Sequence, residues 1–166
     1  MKRIEQLECL YGSYNNKNNK VKHYFVLDGD KRQTNGDTNG SKKQTTSKIN
    51  DKENVIFLGN KNQEIEDLID REFYLGCVSD CYYRIFINSP SKMRKLKDAI
   101  KNIREEKEQE KLTKLLENKF KEYKLGTFSK VDVSKTIKRR LSKDPSLVEY
   151  LQPVIKELKK HRIIQK

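Results

Sequence analysis

Two short, uninterrupted apolar runs constrain the fold of this chain more than any other feature. The first is KHYFVL at residues 22–27, and the second is NVIFL at residues 54–58. Compact runs of β-branched and aromatic residues are typical of strands that are covered on both faces, as in a parallel sheet. The sequence therefore predicts two parallel, buried strands in the N-terminal half.

Beyond residue 64 the spacing of the apolar residues changes to that of helices. After Pro90 they recur every three or four positions as far as Ile103, pause at the polar run EEKEQEK, and resume from Leu112 to Tyr123, after which Gly126 stops the pattern. A further helix begins near Asp132, and the pair Asp144-Pro145 is typical of the start of the next one. The run YRIFI at 83–87 fits either a third strand or a helical loop.

These patterns predict an α/β protein, with a partial parallel sheet followed by a helical C-terminal part. We place the α/β part at residues 1–89 and a basic helical part at 90–166. Within the first part, residues 31–53 have almost no apolar side chains, and they are expected to form a flexible insertion.

Acidic pairs follow both predicted strands. Asp28 and Asp30 end the first, and their one-residue spacing points both carboxylates to the same side of an extended chain. Glu64 and Glu66 follow the second strand after a short turn. Since the carboxyl ends of parallel strands share one edge, the four carboxylates predict a Mg²⁺ or Mn²⁺ site there. The alternative is a turn at Asp28–Asp30 and a helix whose first turn is acidic, as helix dipoles favour.

The positive charge of the chain is concentrated in its C-terminal half. The whole chain has a formal net charge of +13. Residues 92–166 contain 23 Lys and Arg residues but only 11 Asp and Glu residues. Such an excess favours DNA as a partner, because lysines and arginines that neutralise phosphates release counterions. A solvated basic surface is the alternative. The densest basic cluster, predicted to bind nucleic acid, comprises Lys135, Lys138, Arg139 and Arg140.

HYFVLDGD, VIFL and EIED together resemble the Toprim domain, in the version found in OLD-family (overcoming lysogenization defect) nucleases. In that family an Asp-x-Asp pair and a later acidic-x-Glu pair bind divalent metals for phosphodiester cleavage. The resemblance puts Asp28 and Asp30 on the first pair, and Glu64 and Glu66 on the second. The segment SKVDVSKTIKRRL resembles a lysine followed by a helix in that family. The resemblance implies that Lys130, its first lysine, offsets the negative charge of the phosphate in the transition state.

The same resemblance implies a Toprim-like fold and a metal-dependent DNA endonuclease. Toprim domains begin with a strand that ends in Glu-Gly, and no such strand precedes Asp28 here. We therefore expect a C-terminal piece of a larger nuclease, completed by an ATPase domain or subunit encoded upstream, with a homodimer as a further candidate assembly. The alternative is a remnant that binds nucleic acid or protein without catalysis.

Membrane insertion and export are both unexpected. No apolar run approaches the length of about 20 residues that a membrane-spanning helix needs, and no secretory segment follows Met1. Three cysteines do not suggest a disulfide framework. These observations predict a cytoplasmic protein.

Overall fold

A computed structural model describes residues 25–28, 55–60, 62–106 and 111–160, with the backbone alone for residues 25–28 and Val55. Asp30 and the insertion predicted at 31–53 lie outside the described residues. In the described part, two strands are followed by five α-helices and two 3₁₀ segments. The α-helices are α1 (Arg71–Ile85), α2 (Pro90–Glu105), α3 (Leu112–Glu122), α4 (Lys130–Lys143) and α5 (Gln152–Lys160).

The two apolar runs form the predicted parallel strands. β1 (Phe25–Asp28) pairs with β2 (Val55–Leu58) in register, so that Phe25 lies opposite Val55 and Asp28 opposite Leu58. Within the described residues the sheet contains these two strands alone, and most of the remainder is helical. The predicted fold class, an α/β protein built on a Toprim-like parallel sheet, is therefore wrong, and the described part of the chain is mostly helical.

The segment with two interpretations, residues 74–89, explains much of this difference. It forms most of α1 rather than a third strand. Phe73, Cys77 and Cys81 are all buried at intervals of four residues, which is the spacing of one helical face. Asp70 caps the helix by accepting a hydrogen bond from the Phe73 N–H at 2.8 Å. The helical period of the buried positions outweighs the strand propensity of YRIFI.

α1 is the centre of the hydrophobic core. It packs against α2 and α4, while α2 also contacts α3. One cluster of buried residues runs from Phe73 to Val133, and it therefore crosses the predicted boundary between residues 89 and 90. Each large side chain that is fully buried, such as Leu75 or Leu116, contributes about 1.5–3 kcal/mol to folding.

An aromatic group in this core sets the start of α4. The Tyr82 ring lies 4.5 Å from that of Phe120, centroid to centroid. Its hydroxyl donates to the Thr127 carbonyl at 3.2 Å and accepts from the Ser129 N–H at 2.7 Å. Ser129 in turn caps α4 by accepting from the Asp132 N–H. The first residue of α4, Lys130, is thus fixed by contacts to α1.

The C-terminal segment returns to the start of α1. A 3₁₀ segment, Pro145–Leu151, leads into α5, so Pro153 lies in the first turn of the last helix. The Tyr150 carbonyl accepts from the Asp70 N–H at 3.1 Å, and its ring stacks on Phe73 at 5.0 Å. Among the described helices, none has the length and apolar character needed to cross a membrane.

Candidate functional site

The predicted second acidic pair lies in a short turn after β2. Gly59 has φ +78°, a left-handed conformation that suits glycine, and it redirects the chain away from the strand. Glu64 is extended and precedes the 3₁₀ segment Ile65–Leu68. Its N–H donates to Asp67 Oδ2 at 2.9 Å, and its carbonyl accepts from the Asp67 N–H at 3.1 Å. These hydrogen bonds fix the turn that carries Glu64 and Glu66.

Lys130 lies against both of these glutamates. Its Nζ is 2.8 Å from Glu64 Oε2 and 3.2 Å from Glu66 Oε2. The two glutamate side chains are largely buried, with 16% and 18% of their surface exposed, and the lysine is 35% exposed. Three of the five residues to which the sequence assigns metal binding or catalysis therefore form one cluster, although Lys130 lies 66 positions after Glu64 in the chain.

The N-terminus of α3 contributes further polar contacts to the cluster. Thr113, which is buried, donates from Oγ1 to Glu64 Oε2 at 2.6 Å. Lys111 Nζ lies 3.7 Å from Glu64 Oε1, and the Leu112 N–H donates to Asp67 Oδ1 at 3.2 Å. Carboxylates at a helix N-terminus are stabilised by unpaired N–H groups and by the helix dipole. Sequence reasoning missed Thr113 and Lys111, because nothing in KLTKLLENKF distinguishes them from surface residues.

The electrostatics favour the charged forms of both main partners. Burial disfavours the Glu64 carboxylate, but hydrogen bonds from Lys130 and Thr113 and the charge of Lys111 hold its pKa below the usual value. Burial likewise disfavours the Lys130 ammonium, yet the hydrogen bond and charge of Glu64, with the charge of Glu66, raise the pKa of the lysine. At neutral pH the cluster therefore holds an ionised Glu64 and a protonated Lys130.

One carboxylate oxygen of this cluster is buried without a hydrogen bond. Within the described part, Glu66 Oε2 and the Tyr74 hydroxyl are the buried side-chain oxygens or nitrogens without a partner of suitable geometry. For Glu66, the contact to Lys130 at 3.2 Å is thus an ion pair without good hydrogen-bond geometry. Buried polar atoms without a hydrogen bond cost free energy.

Of the first predicted acidic pair, Asp28 and Asp30, only the backbone of Asp28 is described. Asp28 ends β1 opposite Leu58, the last residue of β2, so both strands end at the edge from which the turn to Glu64 begins. Asp30 lies outside the described residues, and the side chain of Asp28 is not described either. Among the side chains that are described, no group of three or more His, Cys, Asp and Glu residues is arranged to hold a metal. The four-carboxylate site stays a prediction.

The predicted nucleic-acid-binding residues lie on α4 in different surroundings. Lys138 is exposed, Arg139 is half-buried, and Lys135 forms an ion pair with Asp132 at 3.1 Å. Arg140 turns towards α1 instead, where its Nε lies 2.9 Å from Asp80 Oδ2.

Arg140 makes further contacts with α1. Its Nη1 donates to Cys77 Sγ at 3.6 Å, and the guanidinium lies 5.8 Å from the centroid of the Phe73 ring. Arg140 therefore links α4 to α1.

A second basic surface, on α2, was not singled out from the sequence. Four exposed cations at spacings of three, four and three residues lie along one side of α2, outside its buried face. Two of them have acidic neighbours, since Arg104 pairs with Glu72 at 2.9 Å and Lys101 with Glu105 at 3.9 Å. This spacing was present in the sequence and could have revealed the surface. The basic stripe of α2 comprises Arg94, Lys97, Lys101 and Arg104.

Comparison with known proteins finds a relative whose name states no activity. The chain is 43% identical over 136 residues to an uncharacterized protein of Methanocaldococcus jannaschii. The match covers 82% of this chain and 32% of that relative, so the chain spans about a third of the relative's length. No protein-family model matches the chain, and no solved structure matches it.

Proposed function

We propose that this chain is a divalent-metal-dependent DNA endonuclease domain, in which Glu64 and Glu66 contribute ligands for Mg²⁺ or Mn²⁺. The observation that carries the proposal is the position of Lys130 Nζ, 2.8 and 3.2 Å from carboxylate oxygens on a distant turn. Glu64 and Glu66 are largely buried and already bind one cation, the Lys130 ammonium, so the same carboxylates could also bind a metal ion. The resemblance of the acidic motifs to those of OLD-family nucleases, which first suggested these residues, is the other support.

The residues present fit a small divalent cation. Mg²⁺ usually takes one or two carboxylates, with water and phosphate oxygens completing its coordination. Glu66 Oε2 is buried and lacks a hydrogen bond, and it lies 3.2 Å from the Lys130 ammonium, so a metal cation bound there would compete with that ion pair. Asp28 and Asp30 are proposed as further ligands. A bound cation would supply an activated water and stabilise charge on phosphate oxygens.

The chain's own residues have distinct tasks in this proposal. Thr113 orients the Glu64 carboxylate through its hydrogen bond at 2.6 Å. Lys130 is held in its charged form beside the carboxylates, and there it can offset negative charge on a phosphate. The basic stripe of α2 supports the choice of DNA, because exposed cations along a helix can follow a phosphate backbone without reading its sequence.

The assembly belongs to the same proposal. We infer that an ATPase domain or subunit accompanies this domain, and that a homodimer is one form of the complex. The chain's match to a third of a longer relative is compatible with a multidomain context. The buried Cys77 and Cys81 are free thiols, which supports a reducing location such as the cytoplasm.

A second candidate is a nucleic-acid-binding or interaction module without catalysis. One observation favours it: Lys130 already forms ion pairs with both glutamates, as expected of an ion-pair cluster that stabilises the fold. In this case the carboxylates would not need a metal, and DNA would bind on the basic helices alone.

A plasmid-nicking assay separates the two candidates. Supercoiled DNA is incubated with the purified chain in Mg²⁺ or Mn²⁺, using the wild type, Glu66→Gln, Asp28→Ala and the control Glu117→Gln, an exposed carboxylate on α3. The nuclease proposal predicts nicking by the wild type and the control, and a loss of at least 100-fold in the other two. Equal traces in all four would reject it, and DNA binding without nicking would favour the second candidate.

A further inference from the structure

Tyr83, near the end of α1, carries an aromatic ring that the core does not account for. It is 49% exposed, whereas its neighbour in the chain, Tyr82, is only 3% exposed and packs against Phe120. Tyrosines are enriched where proteins bind partners, because the ring offers apolar area while the hydroxyl stays in water. The surroundings of Tyr83 therefore bear on what this face of the protein binds.

The helices α1 and α2 are antiparallel neighbours. At one end of the pair, Arg104 Nε lies 2.9 Å from Glu72 Oε2, which joins the last turn of α2 to the first turn of α1. At the other end, Lys92 Nζ lies 5.3 Å from the centroid of the Phe86 ring, which joins the first turn of α2 to the residue that follows α1. These two contacts fix how the helices are aligned.

This alignment puts Tyr83 beside the basic stripe of α2. Tyr83 follows Glu72 by eleven residues, which is about three helical turns, so the two side chains lie on the same side of α1. The ion pair between Arg104 and Glu72 shows that the stripe borders this side. Arg94, at the other end of the stripe, precedes Arg104 by ten residues, or about 15 Å along the helix. Tyr83 is therefore level with the Arg94 end of the stripe.

The positive charge at this end of the stripe is not offset by carboxylates nearby in the chain. Residues 81–97 contain five Lys and Arg residues and no Asp or Glu. Among the described side chains, Arg94 and Lys97 form no ion pair. The other two cations of the stripe, Lys101 and Arg104, each have an acidic partner. The half of the stripe nearest to Tyr83 thus has the cations that a ligand can use.

A nucleic-acid strand has the chemistry that fits this surface. Lysines and arginines that bind phosphates release counterions, whatever the base sequence. An exposed aromatic ring within a basic surface adds stacking on a base. Bases in a duplex are already stacked on one another, so a base that stacks on Tyr83 must be unpaired. The ring therefore favours a single strand over a duplex.

We propose that Tyr83 and the basic stripe of α2 form a binding surface for single-stranded DNA, with Arg94 and Lys97 on phosphates and the Tyr83 ring stacked on a base. The choice of DNA rests on the proposed nuclease function, and the inference names the form of DNA that this domain takes. The surface uses none of the residues of the carboxylate cluster, so the two proposals can fail separately.

The test measures DNA binding without catalysis. Fluorescence anisotropy follows binding of the full chain, in EDTA, to a labelled oligothymidine strand or to a labelled duplex of the same length. Stacking on an exposed ring should make Tyr83→Ala bind the single strand about tenfold more weakly, while duplex binding stays within about twofold of the wild type. Tyr83→Phe keeps the ring and should bind both DNAs as the wild type does.

Ile85→Ala is the matched control for the loss of the ring. Ile85 is 55% exposed at the same end of α1, but it lies about 200° around the helix from Tyr83. This variant should bind the single strand within about twofold of the wild type, because its side chain points away from the stripe.

The phosphate contacts are tested by their salt dependence. The double variant Arg94→Gln/Lys97→Gln is compared with Lys156→Gln/Lys159→Gln, which removes two exposed cations at the same spacing on α5. Loss of two phosphate contacts should make the slope of log affinity against log salt for the single strand shallower by about 1.4. The control on α5 should leave the slope close to that of the wild type.

Two results overturn the inference. If Tyr83→Ala binds the single strand as well as the wild type, or weakens duplex binding equally, the ring does not stack on a base. If both double variants change the slope equally, the charge of the whole chain binds DNA rather than this surface. Plasmid nicking by a wild type that fails these tests would reject this surface and leave the nuclease proposal standing. Binding that depends on Tyr83, in a chain that does not nick, would support the surface and reject the nuclease.

Discussion

Replacing Lys130 with methionine removes the ammonium from the carboxylate cluster and keeps the length of the side chain. The ammonium lies 2.8 Å from Glu64 Oε2 and 3.2 Å from Glu66 Oε2. Without the ammonium, the negative charges of Glu64 and Glu66 repel each other and less positive charge lies nearby to offset them. Thr113 and Lys111 still contact Glu64, whereas Glu66 Oε2 loses the cation beside it.

The exposure of the three side chains sets the size of the effect. Fully exposed ion pairs contribute about 0–1 kcal/mol, and breaking a buried pair costs about 3–5 kcal/mol. With 16% and 18% of the glutamates and 35% of the lysine exposed, this cluster lies between those limits. We expect Lys130→Met to lower the free energy of unfolding by about 2–3 kcal/mol, which for a chain of this size lowers the melting temperature by about 5–10 °C.

Urea unfolding followed by circular dichroism at 222 nm measures this loss directly. Lys138→Met is the control, since Lys138 is an exposed lysine on the same helix. Its expected effect is within about 0.5 kcal/mol. A loss below about 0.5 kcal/mol for Lys130→Met would refute the argument that the ammonium stabilises the turn.

The same variant also tests how Lys130 relates to the metal. If the ammonium and a divalent cation compete for the same carboxylates, Lys130→Met should bind Mn²⁺ about tenfold more tightly, equivalent to about 1.4 kcal/mol. The added cation should then restore much of the lost stability. Weaker Mn²⁺ binding by the variant would contradict the competition.

Two further predictions concern individual hydrogen bonds. Thr113→Val removes a buried hydrogen bond to the charged Glu64, so it should cost about 2 kcal/mol, whereas Thr136→Val removes a bond to a backbone carbonyl and should cost about 1 kcal/mol in the same urea assay. Asp132→Asn tests pH dependence, because the hydrogen bond from Lys135 lowers the pKa of Asp132. A lowered folded-state pKa gives stability that is present above the unfolded-state pKa of about 3.9 and is lost as the pH falls. The difference in unfolding free energy between wild type and Asp132→Asn should therefore be present at pH 7 and vanish at about pH 2. A difference that stays constant over this pH range would contradict the prediction.

The strands and the C-terminal helices could be predicted because their signals are local. A short apolar run rich in β-branched residues specifies a buried strand, and the spacing of Leu96, Ile100 and Ile103 specifies a helical face. The structure confirms both patterns. Residues 74–89 were ambiguous, because Tyr, Phe and Ile favour strands while the burial of α1 follows a helical period.

The contacts of the candidate site were harder to predict, because they depend on tertiary packing. The resemblance paired Lys130 with Glu64 and Glu66, but no local pattern in the sequence requires them to meet. Thr113 lies in a stretch that reads as an ordinary amphipathic helix, and its role depends on where α3 docks. The α4 lysines and arginines formed a visible cluster, yet packing turned Arg140 towards Asp80.

The geometry of the cluster depends on the helical core rather than on the sheet. The turn bearing Glu64 is contacted by the N-terminus of α3 and by the first residue of α4. The start of α4 is in turn fixed by the hydrogen bond from the Ser129 N–H to the Tyr82 hydroxyl in the last turn of α1. Lys130 can therefore meet the two glutamates although the Toprim-like sheet that suggested the pairing is not the basis of the described fold. The carboxylate pair supplies the charge, and the packing of α1 determines where its counter-ion lies.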